Sequence, residues 1–183
     1  GGEIGLTSEP DKGSTFWFEV LVQGAAPERT AEDVPRPARA ARVLCVDDHA
    51  GVRHLVGRHL QGLVSETVEA SSGQNALRLL QAAVHDGRPF DLAVIDARMP
   101  SMSGVELLRQ IRERSALDHL RLVMLTSLAE PADQQLMSDL GVDGRVPKPI
   151  RRAALRDTVA AAFDGAARRE RPDHRRDVAP GSA

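Results

Sequence analysis

Between Arg42 and Gly165, short apolar runs alternate with stretches in which apolar residues recur at helical spacing. That is the pattern of a parallel sheet whose strands are joined by crossover helices. The runs predict strands over Arg42 to Val46, Glu66 to Ala70, Asp91 to Ile95, Arg121 to Leu125 and Gly144 to Val146. Val43 to Val46 and Leu92 to Ile95 are apolar throughout, as strands buried on both faces must be, so these two are expected to be neighbours at the centre. Helices are predicted by Val52, Leu55, Val56 and Leu60, by Ala76, Leu79, Leu80 and Ala83, and by Val105, Leu108 and Ile111. Leu136, Met137 and Leu140 mark a fourth, and Leu155, Val159, Ala162 and Phe163 a fifth, which Gly165 ends. Repeated strand-helix units imply a doubly wound α/β sheet, with its ligand site beyond the carboxyl ends of the strands. The residues at those ends are Asp47, Asp48 and His49, then Asp96, then Thr126 and Ser127, then Lys148 and Pro149.

The flanks follow other patterns. Residues 1–23 carry a strict alternation in which Phe16, Phe18, Val20 and Val22 share one face and Trp17, Glu19 and Leu21 the other, so an apolar face expects a core that these residues do not supply. Gly13-Ser14-Thr15 reads as a hairpin turn rather than a phosphate loop. Residues 24–41 hold three prolines and no apolar periodicity, which predicts a flexible, extended linker. Residues 166–183 are rich in arginine and poor in core-forming residues, so a disordered tail is expected, leaving 42–165 as the folded domain.

Composition narrows the classes. The chain has 183 residues, 42% hydrophobic and 27% charged, enough for one well-packed core with appendages. A net charge of -2 gives no electrostatic reason to expect nucleic acid or an anionic membrane as a bulk partner. No apolar stretch approaches the roughly 20 residues needed to span a bilayer. The single cysteine, Cys45, lies in an apolar run and reads as a small buried filler, which fits a reducing, cytoplasmic setting. The sequence opens on Gly1-Gly2 with no methionine, as expected of a piece of a longer chain.

Each residue at the strand ends has an ordinary explanation by itself: a helix cap for Asp47-Asp48, a turn for Asp96, a strand terminus for Thr126, a solvated charge for Lys148. Their convergence on one sheet edge implies more. Carboxylates about 4 Å apart repel by roughly 4 kcal/mol at an effective dielectric of 20. A hard divalent cation relieves that repulsion, and Mg2+ commonly combines one or two carboxylates with water and substrate phosphate. The acids therefore predict an Mg2+-dependent phosphoryl-transfer site, with Asp96 as nucleophile, Lys148 as the point charge on the phosphoryl oxygens and Thr126 as a hydroxyl donor. Of the 24 lysines and arginines only Lys12 and Lys148 are lysines, which implies that an ammonium is needed after the last strand.

The segments VLCVDDHAGVR, DLAVIDARMPSMSG, RLVMLTS and VPKPI resemble, in order and spacing, the motifs of response-regulator receiver domains. The resemblance covers most of Arg42 to Gly165. It implies a flavodoxin-like sheet of five parallel strands in the order 2-1-3-4-5 with five helices. It further implies that Asp47 and Asp48 are Mg2+ acids, Asp96 the phosphoacceptor, Thr126 the switch hydroxyl and Lys148 the phosphate-binding lysine. The backbone carbonyl of Arg98 is implied as a further Mg2+ ligand and the Lys148-Pro149 bond as cis. The family usually places an aromatic switch residue where this chain has Arg145, so an outward Arg145 is expected, with Arg151 and Arg152 making the neighbouring face basic.

GGEIGLTSEPDKGSTFWFEVLV resembles the closing strands of the ATP-binding domain of sensor histidine kinases, so an N-terminal β-hairpin remnant is expected. The order kinase end, linker, receiver matches a hybrid histidine kinase. The implied partner is the phosphohistidine of a kinase or of a histidine-phosphotransfer domain, with no direct nucleic-acid contact. His54 and His59 lie near the polar side of the first helix pattern, where a solvated face is the simple expectation. Two rival readings are a receiver-like interaction module that never carries phosphate and a flavin-binding electron carrier of the same topology. The complete set of acids and lysine argues against the first. Asp47-Asp48 would repel phosphate where the second needs it.

Overall fold

The structure is a computed structural model that describes residues 2–10, 13–21, 36–127 and 139–164. The chain divides into two compact units, Gly1–Thr30 and Ala31–Ala183.

The first unit is an antiparallel hairpin of β1 (Glu3–Glu9) and β2 (Gly13–Glu19). Its register pairs Ile4 with Phe18 and Leu6 with Phe16, so these four side chains share one face. That face is exposed: Phe16 and Phe18 are 76% and 73% accessible. Gly13, Ser14 and Thr15 were expected to form the turn and instead belong to the β2 ladder, with Ser14 opposite Ser8 and Thr15 opposite Thr7. The expected apolar residue Val22 lies outside the described residues.

The second unit is built from α1 (Arg36–Ala40), β3 (Arg42–Val46), α2 (Ala50–Leu60), β4 (Glu66–Ala70) and α3 (Gly73–His85), followed by β5 (Leu92–Asp96) and α4 (Gly104–Arg112). A 3-10 turn (Ser115–Leu117), β6 (Arg121–Thr126), β7 (Gly144–Pro147) and α5 (Arg152–Phe163) complete it. The five strands are parallel and ordered β4-β3-β5-β6-β7, which is the expected 2-1-3-4-5 counted from the first strand of this sheet. Four of the five expected helices are α2 to α5, and the fourth predicted by Leu136 and Met137 lies outside the described residues, as does the tail 166–183.

Strand alternation divides the core into two layers. Leu44, Val46, Ala93, Ile95, Leu122 and Met124 pack with residues of α3 and α4. Val43, Cys45, Leu92, Val94, Val123, Leu125 and Val146 pack with residues of α1, α2 and α5. Every residue of β5 is buried, as its apolarity predicts for a central strand. Arg42 binds three strand beginnings together: its N–H donates to Asp91 Oδ2 at 2.8 Å and its Nε to Glu66 Oε2 at 2.7 Å, while the guanidinium lies 4.6 Å from the centre of the Phe90 ring. The hydrogen bond from Arg42 holds the Glu66 carboxyl below its ordinary range.

Some periodicity assignments shift. The stretch expected to be an extended linker ends in a five-residue helix, with Ala38 buried in the second layer, because alanines carry an apolar methyl with no side-chain entropy to lose. Leu55 is exposed although it shares a helix face with Val52 and Val56, and in α3 Leu77 is buried beside the expected Leu80 while Leu79 is only half-buried. His59 is half-buried, not solvated, whereas His54 is exposed.

The start of α4 lies against the end of β5. Ser103 caps the helix by accepting the Glu106 N–H at 3.1 Å, and the Gly104 N–H donates to the Ala97 carbonyl at 3.0 Å. A Cβ at Gly104 would sit 2.1 Å from the carbonyl oxygen of Asp96, so only glycine permits this approach. Gly104→Ala is therefore expected to destabilise the domain by about 1–3 kcal/mol in urea unfolding, the usual range for overpacking against an immobile neighbour. An unchanged midpoint would show that the strand end and helix start yield freely.

Cys45 is fully buried between β4 and β5, and its thiol is pushed up to about 12, first by burial and then by the negative charges of Asp47 and Glu69. At pH 8, iodoacetamide should label it on the order of a thousandfold more slowly in the folded chain than in urea, since the thiolate is the reactive form. Equal rates would place Cys45 at the surface.

Candidate functional site

Parallel strands that end in register bring their carboxyl-terminal residues to one edge. Val46 pairs with Ile95, so Asp47 and Asp96 each follow a paired residue of adjacent strands. Asp96 pairs with Leu125, placing Thr126 one residue beyond it on the next strand, and Thr126 pairs with Pro147, just before Lys148. The Lys148 N–H donates to the Thr126 carbonyl at 2.7 Å, and the Lys148-Pro149 bond is cis. All the sequence-predicted residues thus meet at one edge, and Asp47, Asp96 and Thr126 are buried there at 0%, 4% and 8% accessibility.

The lysine joins the acids. Its Nζ lies 2.8 Å from Asp96 Oδ2 and donates to Asp47 Oδ2 at 3.2 Å. Partial burial alone would lower the lysine's pKa, but the hydrogen bonds and charges of Asp96 and Asp47 together outweigh it, so the ammonium is held above its ordinary range. Lys148 therefore stays charged.

The opposite carboxylate oxygens face elsewhere. Asp47 Oδ1 accepts the His49 N–H at 2.8 Å, and Asp96 Oδ1 accepts the Arg98 N–H at 3.3 Å. Each acid thus has one oxygen on the ammonium and the other in a turn that fixes its rotamer. The Arg98 guanidinium reaches across to donate to Ser127 Oγ at 2.7 Å. Arg145 is exposed, outward as expected, while Val146 beside it is buried.

Two participants were given no role by the sequence reading. Arg53, one turn into α2, donates from one guanidinium nitrogen to the carbonyls of Asp47 and Asp48 at 2.9 and 3.2 Å, and its Nε bonds Glu69 at 3.0 Å. Its position five residues after the second acid was visible, but nothing in the spacing says that the side chain turns back over the loop. The other is His49, whose Nδ1 lies 3.2 Å from Asp48 Oδ1 and 3.6 Å from Asp47 Oδ1.

The donor set fits a divalent cation. Asp48 Oδ1 is buried and makes no hydrogen bond, an orphaned anionic oxygen that a cation would satisfy. Ligand atoms of Asp47, Asp48 and His49 lie within 4.8 Å of one another. The carboxylate oxygens of Asp47 and Asp48 suit Mg2+.

The profile of the response regulator receiver domain matches residues 43–160. The chemotaxis protein CheY of Pseudomonas aeruginosa is 34% identical over 124 residues, which are 67% of this chain and 96% of that protein. The virulence sensor protein BvgS of Bordetella bronchiseptica is 32% identical over 180 residues, covering 91% of this chain, which spans only 14% of BvgS. Among solved structures, the chemotaxis response regulator CheY4 of Vibrio cholerae matches 68% of this chain and 99% of its own, at 31% identity and a TM-score of 0.61. With the five-stranded parallel sheet and the acid-lysine edge in place, the chain belongs to the response regulator receiver domain family of two-component signal transduction.

Proposed function

We propose that Asp96 accepts a phosphoryl group in an Mg2+-dependent reaction, and that the domain does so as the C-terminal part of a hybrid sensor histidine kinase in the cytoplasm. The observation that carries the first part is the ammonium of Lys148 on both Asp47 and Asp96. The metal would be held by Asp47, Asp48, Asp96 and the Arg98 carbonyl. When bound, it supplies positive charge to the acids and to the phosphoryl oxygens.

The donor is a phosphohistidine, on a kinase or a histidine-phosphotransfer domain. A carboxylate oxygen of Asp96 forms the new bond to phosphorus as the bond from phosphorus to the donor's imidazole nitrogen breaks, its electron pair returning to that nitrogen. Lys148 already lies against Asp96 and moves no proton: as negative charge passes from the carboxylate to the phosphoryl oxygens, the ammonium is in place to follow it. The Thr126 hydroxyl, at the adjacent strand end, donates to one of those oxygens. Hydrolysis cleaves the acyl phosphate to restore the Asp96 carboxylate and release inorganic phosphate.

The hybrid context rests on the extent of similarity. The match to CheY covers 67% of this chain, whereas the match to BvgS covers 91% and so reaches well beyond the receiver. The exposed apolar face of the hairpin fits the end of a domain whose core lies elsewhere. No helix among the described residues is long and apolar enough to cross a membrane. With Arg145 outward in β7, output runs through charge and loop ordering near Asp96 and a basic face that includes Arg151, not through an aromatic ring turning inward.

Acetyl phosphate with Mg2+ is expected to raise the intact mass by one phosphoryl group. Asp96→Asn or a chelator should abolish the gain, and Lys148→Ala should slow it by about tenfold or more, the usual scale for removing one electrostatic stabiliser. Labelling that survives in Asp96→Asn would exclude this acceptor. Mg-ATP should give no micromolar binding in calorimetry, since the hairpin is only a remnant of a nucleotide domain, and a saturable isotherm would refute that reading of residues 1–23.

A further inference from the structure

His49 stands where a hydrated cation would approach the acids. Its own N–H donates to Asp47 Oδ1 at 2.8 Å, which folds the chain back on itself directly after the acid pair. That turn brings the imidazole Nδ1 to 3.2 Å from Asp48 Oδ1 and 3.6 Å from Asp47 Oδ1. Although His49 occupies the N-cap of α2, its side chain makes no capping hydrogen bond, so the fold does not use the imidazole there. The ring is 74% accessible.

The two oxygens it faces are those that the lysine leaves. Asp47 Oδ2 is taken by Lys148 Nζ, which turns Oδ1 toward the histidine, and Asp48 Oδ1 is buried without a hydrogen bond. One end of the acid cluster is therefore committed to the ammonium, and the other presents two carboxylate oxygens and one imidazole nitrogen within 4.8 Å of one another.

An all-oxygen set suits Mg2+, which gains little from imidazole, whereas first-row transition ions gain substantially from a nitrogen ligand. We propose that His49 is an additional protein ligand at the Asp47-Asp48 cation site and shifts its preference from Mg2+ toward a first-row transition ion. This rests on the cation site proposed above and adds to it a ligand and a selectivity. The receiver fold tolerates this because His49 lies past the strand, in a turn, where its side chain replaces no core contact.

Calorimetric titration of the full chain with MgCl2 and with NiCl2 tests it, Ni2+ serving as the imidazole-sensitive probe. In His49→Ala, Ni2+ affinity should fall about tenfold or more, the scale seen when a metal site loses a supporting ligand, while Mg2+ affinity changes by less than about twofold. In Asp48→Asn both ions should bind more weakly. Ni2+ affinity that is unchanged in His49→Ala, or unaffected by Asp48→Asn because the ion sits on other histidines, overturns the role of His49 and leaves the acid site standing. Mg2+ binding that survives Asp48→Asn at full strength overturns the acid site itself, and the role of His49 with it.

Discussion

One ammonium holds the functional edge of this domain together. Parallel strands in register deliver Asp47 and Asp96 side by side, and two buried carboxylates so placed repel each other unless positive charge stands between them. Lys148 provides that charge, with its Nζ on both Oδ2 atoms. The sheet fixes where the acids are, and the lysine makes their proximity tolerable. The arrangement divides each acid in two, one oxygen on the ammonium and one held by a backbone N–H from the following turn. Chemistry and folding therefore use the same contacts: the groups that position the acids are those that would meet a phosphoryl group or a cation.

Everything around the edge restricts its movement. Arg53 clamps the carbonyls of Asp47 and Asp48 from α2, and Glu69 at the end of β4 holds the guanidinium in turn. The Lys148 N–H is bonded to Thr126, so the last two strand ends share one backbone contact. Gly104 lets α4 begin against the carbonyl of Asp96, which ties the orientation of a whole helix to the end of β5. The end of β5 and the start of α4 are thus in direct contact, whereas Arg145 in the last strand is exposed.

The sheet and the site were legible because both depend on strong, local signals. Continuous apolarity marked β3 and β5 as central, and acids directly after two such strands can only converge at the edge that the topology provides. Strand ends were misjudged by a residue: Asp96, Thr126 and Pro147 extend their strands, since backbone pairing continues past the last apolar side chain. The short helix before β3 was missed because the prolines in and before it read as a linker, whereas Ala38 is held by packing that no periodicity over five residues can announce. The roles of Arg53 and His49 went unassigned for a different reason. Their roles depend on where a long side chain or a turn doubles back, which residue spacing alone does not encode.

The acyl phosphate on Asp96 is the central claim, and its chemistry offers a direct test. Borohydride reduces an acyl phosphate to an alcohol, converting the modified aspartate to homoserine, which survives digestion and can be located by mass spectrometry. After treatment with acetyl phosphate and Mg2+, the account predicts homoserine at position 96 and at no other aspartate. Homoserine at position 47 or 48, or none anywhere in a chain that has gained phosphate, would contradict it.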